Sequence, residues 1–103
     1  MEVWIAVIPA IYVKPFDLDY YPTDFPPFLP FIMQLKYEIG KKKEYPRIWV
    51  YQRGRFFIAS DDYPQYHAYL ESECPFIVGI VLGKPDHPAV SKVSGPFRYG
   101  QET

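Results

Sequence analysis

A single cysteine, Cys74, is all the thiol chemistry available to this chain. That excludes an internal disulfide framework and a cysteine-anchored zinc cluster, and it predicts a reducing, cytoplasmic compartment. With Glu73 and Pro75 beside it and no cation near in sequence, the thiol is expected to be inert. Long hydrophobic runs are missing too. The apolar stretches Val3–Ala10 and Phe76–Leu82 fall far short of a membrane-spanning helix. Met1-Glu2-Val3-Trp4 has neither the basic start nor the apolar stretch of a secretory leader, so none is expected. Ser-His-Asp, HExxH, GxSxG and P-loop spacings are all absent. No catalytic residue, metal or cofactor is therefore assigned, and no membrane contact. Glycine is sparse, at 6 residues against 12 prolines, and there are no internal repeats.

What the chain does hold is aromatic: 10 Tyr, 8 Phe and 2 Trp in 103 residues. Rings bury large apolar areas, so this composition predicts one ordered domain rather than a disordered segment. The net charge of −1 gives no bulk attraction to nucleic acid. It does conceal an asymmetry. Residues 1–34 sum to −3 and residues 57–103 to −3, while residues 35–56 sum to +5 through Lys36, Lys41, Lys42, Lys43, Arg47, Arg53 and Arg55 against Glu38 and Glu44.

Val3–Ile8 reads as a strand closed by Pro9, with Ile11-Tyr12-Val13 continuing it as a bent or edge strand. Residues 14–30 carry Pro15, Pro22, Pro26, Pro27 and Pro30 among Phe16, Tyr20, Tyr21 and Phe25, and are expected to form an aromatic cover over the core. Phe28, Ile32, Leu35 and Ile39 then share one helical face, with Gly40 ending the helix. A hairpin follows: Arg47–Tyr51, a turn at Gln52–Arg55 with Gly54 free to take a positive φ, and Phe56–Ala59. Ser60-Asp61-Asp62 are N-cap residue types, Pro64 suits a first turn, and a second helix is expected to run to about Glu73. Phe76–Leu82 is apolar at every position except Gly79, the pattern of a central strand covered on both faces. Residues 85–103 read as an irregular tail behind a domain of residues 1–84.

The predicted class is α+β: a small mixed sheet with one hairpin and two principal helices in a single domain. This order, with Phe31–Gly40, Pro46–Val50, Arg55–Ser60, Tyr63–Leu70 and Pro75–Val81 falling at matching places, resembles the ParB/sulfiredoxin-like fold. The resemblance is to the ParB N-terminal nuclease-like domain in particular, over about residues 3–83. The resemblance implies a phosphate-binding turn that opens the second helix, rich in Gly and Arg in ParB relatives and carrying a nucleophilic Cys in sulfiredoxins. Here that turn is Ser60-Asp61-Asp62-Tyr63, without Gly, Arg or Cys. Carboxylates there occupy the helix N–H groups themselves and repel phosphate.

The leading expectation is thus a non-catalytic binding module of this fold that contacts a protein partner, since exposed Tyr and Arg suit protein interfaces. One alternative is a DNA-binding relative using the basic segment 41–55, where Lys41, Lys42, Lys43, Arg53 and Arg55 sit beside aromatic residues. A second is a divalent-metal-dependent nuclease or nucleotide hydrolase built on Asp61 and Asp62. Candidate binding residues at the turn are Ser60, Asp61, Asp62, Tyr63, Tyr66 and His67.

Overall fold

The computed structural model describes residues 1–16, 29–42, 44–60 and 62–99. Most of the proline-rich aromatic segment, with Phe28, Lys43 and Asp61, lies outside the described residues. The elements are β1 (Glu2–Pro9), a 3-10 turn (Ala10–Tyr12), β2 (Val13–Pro15), α1 (Leu29–Gly40), β3 (Arg47–Arg53), β4 (Phe56–Ala59), α2 (Tyr63–Glu71), β5 (Phe76–Leu82) and β6 (Ser91–Arg98). They build one mixed sheet in the order β2-β4-β3-β5-β1-β6.

β5 lies at the centre. It runs antiparallel to β1 with Ile5 opposite Ile80, and parallel to β3 with Trp49 beside Ile80. Strand residues on one side of this ladder, among them Ala6, Ile8, Ile48, Val50, Phe57, Ile77 and Val81, are fully buried. Both helices pack there, inserting Ile32, Leu35 and Ile39 from α1 and Tyr66, Ala68 and Tyr69 from α2 into the same cluster. Tyr69 is wholly enclosed. Its hydroxyl donates to the Pro46 carbonyl at 2.5 Å and accepts the Val78 N–H at 3.4 Å. Burial pushes its pKa far above the ordinary phenol range.

Several elements depart from the sequence reading, each for a local reason. Pro9 has no N–H to extend the β1 ladder. The chain therefore turns through Ala10–Tyr12 and re-enters the sheet at its far edge as β2, parallel to β4, instead of prolonging β1. Gly40 is still helical, and the left-handed residue closing α1 is Lys42 at φ 57°. α2 stops at Glu71, with Glu73 at φ 55° as its left-handed residue. The region expected to be an irregular tail contains β6, an edge strand on β1. Its pairing breaks register twice and its Lys92 and Gly95 take positive φ, so the residues lack the alternation that marks a strand. The connection leading to it is tied down by Gln52, whose side-chain amide exchanges two hydrogen bonds with the Asp86 backbone at 2.7 and 2.8 Å. At the hairpin, Gly54 takes φ 64° as the first residue of a two-residue turn, as expected.

Gly79 sits where β5 meets its neighbours on the helix-covered side. A Cβ there would lie 2.9 Å from Ile8 Cδ1 and 3.1 Å from Val50 Cγ2. Ile8 and Val50 are both fully buried and have nowhere to move. Gly79→Ala is therefore expected to destabilise the protein by about 1–3 kcal/mol through overpacking. Urea unfolding of the two proteins, compared at their midpoints, checks this.

Candidate functional site

The turn that opens α2 was the first candidate. Asp62 occupies the N-cap position, yet its side chain makes no capping bond. Its Oδ2 instead accepts the backbone N–H of Trp49 at 2.8 Å. β4 pairs with β3 only as far as Ala59 opposite Val50, so Trp49 would otherwise lack its next ladder partner. The carboxylate thus completes the sheet and pins α2 to β3. The sequence reading of Asp62 as a side-chain cap is corrected accordingly: the residue type suits a cap, but a strand donor in reach took the carboxylate.

Around it, Ser60 is half-buried and lines a groove of about 350 Å³ with Met1, Trp49, Leu82 and Tyr99. Tyr63 is half-buried. Tyr66 is a core residue whose hydroxyl donates to the Val13 carbonyl at 3.4 Å, and burial raises its pKa. His67 is half-buried with its ring edge-on to Tyr66, their centroids 5.5 Å apart. Its pKa is lowered by desolvation, against an opposing pull from Glu71. Among the described residues no group of three His, Cys, Asp or Glu side chains could hold a metal ion. Cys74 lies half-buried beyond the other end of α2, with its N–H on the Tyr69 carbonyl.

The basic segment is divided by the fold. Lys41 and Lys42 follow α1, near the start of β3, where Lys41 Nζ stands 4.4 Å from the centre of the Tyr37 ring. Arg53 and Arg55 flank the turn at the other end of β3. Arg53 lies six residue steps beyond Arg47 on the same strand, about 20 Å along the sheet. Arg55 and Lys14 both stand over the Phe56 ring, at 5.3 and 5.6 Å. Contiguity in sequence gave one basic stretch; an extended strand turns it into two groups at opposite ends.

A different surface emerges from the strand register. Side chains paired across the sheet share a face, so Val3, Ile5 and Val7 of β1 lie with Val78, Ile80 and Leu82 of β5, Arg47, Trp49 and Tyr51 of β3, and Phe97 of β6. This is the side away from both helices. A groove of about 480 Å³ runs along it, floored by Val3, Ile5 and Ile80 and bordered by Arg47, Phe97 and Tyr99. Leu82, Phe97 and Tyr99 keep 40%, 47% and 54% of their surface exposed. Tyr99 meets Trp49 edge-on, with ring centroids 4.8 Å apart, and joins this groove to the smaller one at Ser60. The sequence alone does not single out these residues, because an unbroken apolar strand reads as covered on both sides. Their signal was present in the unbroken apolar runs of β1 and β5. What was missing was how many helices would cover them.

Two measurements check these assignments. Asp62→Ala leaves the Trp49 N–H without its acceptor and is expected to cost about 1–3 kcal/mol, while Asp62→Asn keeps an acceptor oxygen and costs less; thermal unfolding of the three proteins decides. For His67 the folded protein holds its proton less tightly than the unfolded chain, whose ordinary imidazole pKa is about 6.5. Its contribution is therefore complete above that pH and is lost as pH falls below it. The unfolding midpoint should drop between pH 7.5 and 5.5, and His67→Gln should flatten that part of the curve.

No protein-family description matches the sequence, and no curated protein does. Among solved structures, sulfiredoxin from Arabidopsis thaliana is similar, at a TM-score of 0.56 and 12% identity, over 78% of this chain and 85% of that one. At such identity a likeness speaks for the fold and not for the chemistry. No helix among the described residues is long and apolar enough to cross a membrane. The mixed six-stranded sheet, its two helices and this structural match agree with the resemblance drawn from sequence: the chain has the α+β fold of the ParB/sulfiredoxin-like class.

Proposed function

We propose that the protein is a binding module that engages a protein partner through the sheet face left uncovered among the described residues, rather than an enzyme acting at the turn before α2. The observation that carries this reading is an imbalance between pattern and cover. β1 and β5 are apolar on both faces, as strands of a two-sided core are, yet α1 and α2 both pack on one of them. Contiguous apolar surface of this kind, bordered by polar groups, marks interaction sites on soluble domains. Trp49, Phe97, Tyr99 and Arg47 supply the residue types that anchor such interfaces.

The turn before α2 has little left to offer a phosphate. The carboxylate of Asp62 is engaged by the sheet, and the phenol of Tyr66 is enclosed in the core. The two ends of the basic stretch lie about 20 Å apart, which does not make a single phosphate-binding patch.

Site-specific photocrosslinking tests the reading. A benzophenone amino acid placed at Leu82 reports on the uncovered face, and one at Met33, exposed on α1, reports on the helix side. Irradiation in cells is expected to give a discrete adduct from Leu82 and none of comparable yield from Met33. Equal yields from both positions, or none from Leu82, would remove the uncovered face as the binding surface.

A further inference from the structure

The charges around the uncovered face carry the argument one step further, resting on the reading of that face as a docking surface. Across all six strands Glu2 is the one acidic residue, and it alternates onto the opposite side from Val3, Ile5 and Val7. The cations behave differently. Register places Lys14 beside Ile58 and Arg53 opposite Phe56, both on the uncovered side, and Arg47 borders the main groove, while Arg98 pairs in register with Glu2 and alternates to the other side. Arg47 is exposed and has no ion-pair partner among the described residues. The protein as a whole carries a charge of −1, so this segregation is a property of the face and not of the composition. The result is an aliphatic floor inside a border that is cationic and aromatic.

We propose that the uncovered face receives an amphipathic α-helix of a partner protein whose apolar stripe is flanked by Asp or Glu. The half-buried Ile5 and Ile80, beside the exposed Leu82 and Phe97, fit an apolar stripe, and the border fits carboxylates through charge-assisted hydrogen bonds to guanidinium. Length agrees as well. A seven-residue strand such as β5 spans about 23 Å, the length of about 15 helical residues. A helix on this side would also give the sheet the second helical layer that its apolar strands lack.

Two other occupants fit less well. A second copy of this chain would bring Arg47, Arg53 and Lys14 against their own counterparts, with no carboxylate among the described strand residues of that face to answer them. Single-stranded nucleic acid needs flat rings open for stacking. Here the floor is aliphatic, Trp49 and Tyr99 meet edge-on at 78°, and the Phe56 ring is already covered by Lys14 and Arg55.

The test uses the full chain and two synthetic helical peptides of about 16 residues. Both carry the same Leu/Ile stripe, flanked by Glu in one and Lys in the other. Fluorescence anisotropy of the labelled peptides is followed at low and high salt. The Glu-flanked peptide is expected to bind about tenfold more tightly than the Lys-flanked one at low salt, with the gap narrowing as salt rises. Arg47→Glu, at an exposed strand end, should shrink or reverse the preference while its circular dichroism spectrum stays that of the parent.

Equal binding of the two peptides would overturn the acidic partner. So would failure of both to bind while the Leu82 crosslink is still found; in either case the docking face itself survives. Displacement of the Glu-flanked peptide by an oligothymidine would overturn the inference in favour of nucleic acid. A Leu82 crosslink to a second copy of the same chain, with a dimer in sedimentation, would overturn it in favour of self-association. Loss of the Leu82 crosslink together with both peptide signals would remove the docking reading as well.

Discussion

The rest of this structure depends on the antiparallel ladder between β1 and β5, in which seven consecutive residue pairs from Val3–Leu82 to Pro9–Phe76 are held in register. A slip of one residue would exchange the two faces of β5, moving Ile77 and Val81 away from the helices. Gly79 supports the same register sterically, since a Cβ there would press on the Ile8 and Val50 side chains. With these strands in place, β3 adds in parallel on one side and β6 in antiparallel on the other. The helices then have one prepared surface to cover.

That ladder also accounts for the shape of the site. Backbone groups that the sheet leaves unpaired are satisfied by side chains: Asp62 closes the ladder at Trp49, and Gln52 holds the segment at Asp86. Both contacts serve the architecture. A carboxylate at the end of a short strand thereby accepts a backbone N–H that the ladder leaves over. The chain keeps the frame of its fold while the turn before α2 is used for holding the sheet together. Apolar surface that this frame exposes lies elsewhere, on the side opposite the helices.

Much of the architecture was legible in the sequence because local rules decide it. The helical spacing of Ile32, Leu35 and Ile39, the Gly54 turn, Pro64 in the first turn of α2 and the apolar run of β5 each report on neighbours a few residues away. The elements that escaped reading depend on distant partners. β6 is a strand because the edge of β1 accepts it, despite its bulges and its exposed residues. β2 lies across the sheet from β1 although a three-residue turn joins them. Lys42 and Glu73, neither a glycine, hold the left-handed positions after their helices.

By itself the sequence determined the class of fold, the two helices, the hairpin and the central apolar strands, because hydrophobic period and turn chemistry are properties of short segments. Only the tertiary structure decided where these residues act. It divided the basic stretch of 41–55 between two ends of a strand, turned a supposed cap into a sheet bond, and enclosed Tyr66 in the core. It also left one face of a doubly apolar sheet uncovered among the described residues, with cations at its border. The physical reason is the same in each case. A strand carries neighbours in sequence about 3.3 Å apart and sends them to alternate faces, so proximity in the chain says little about which side chains share a surface.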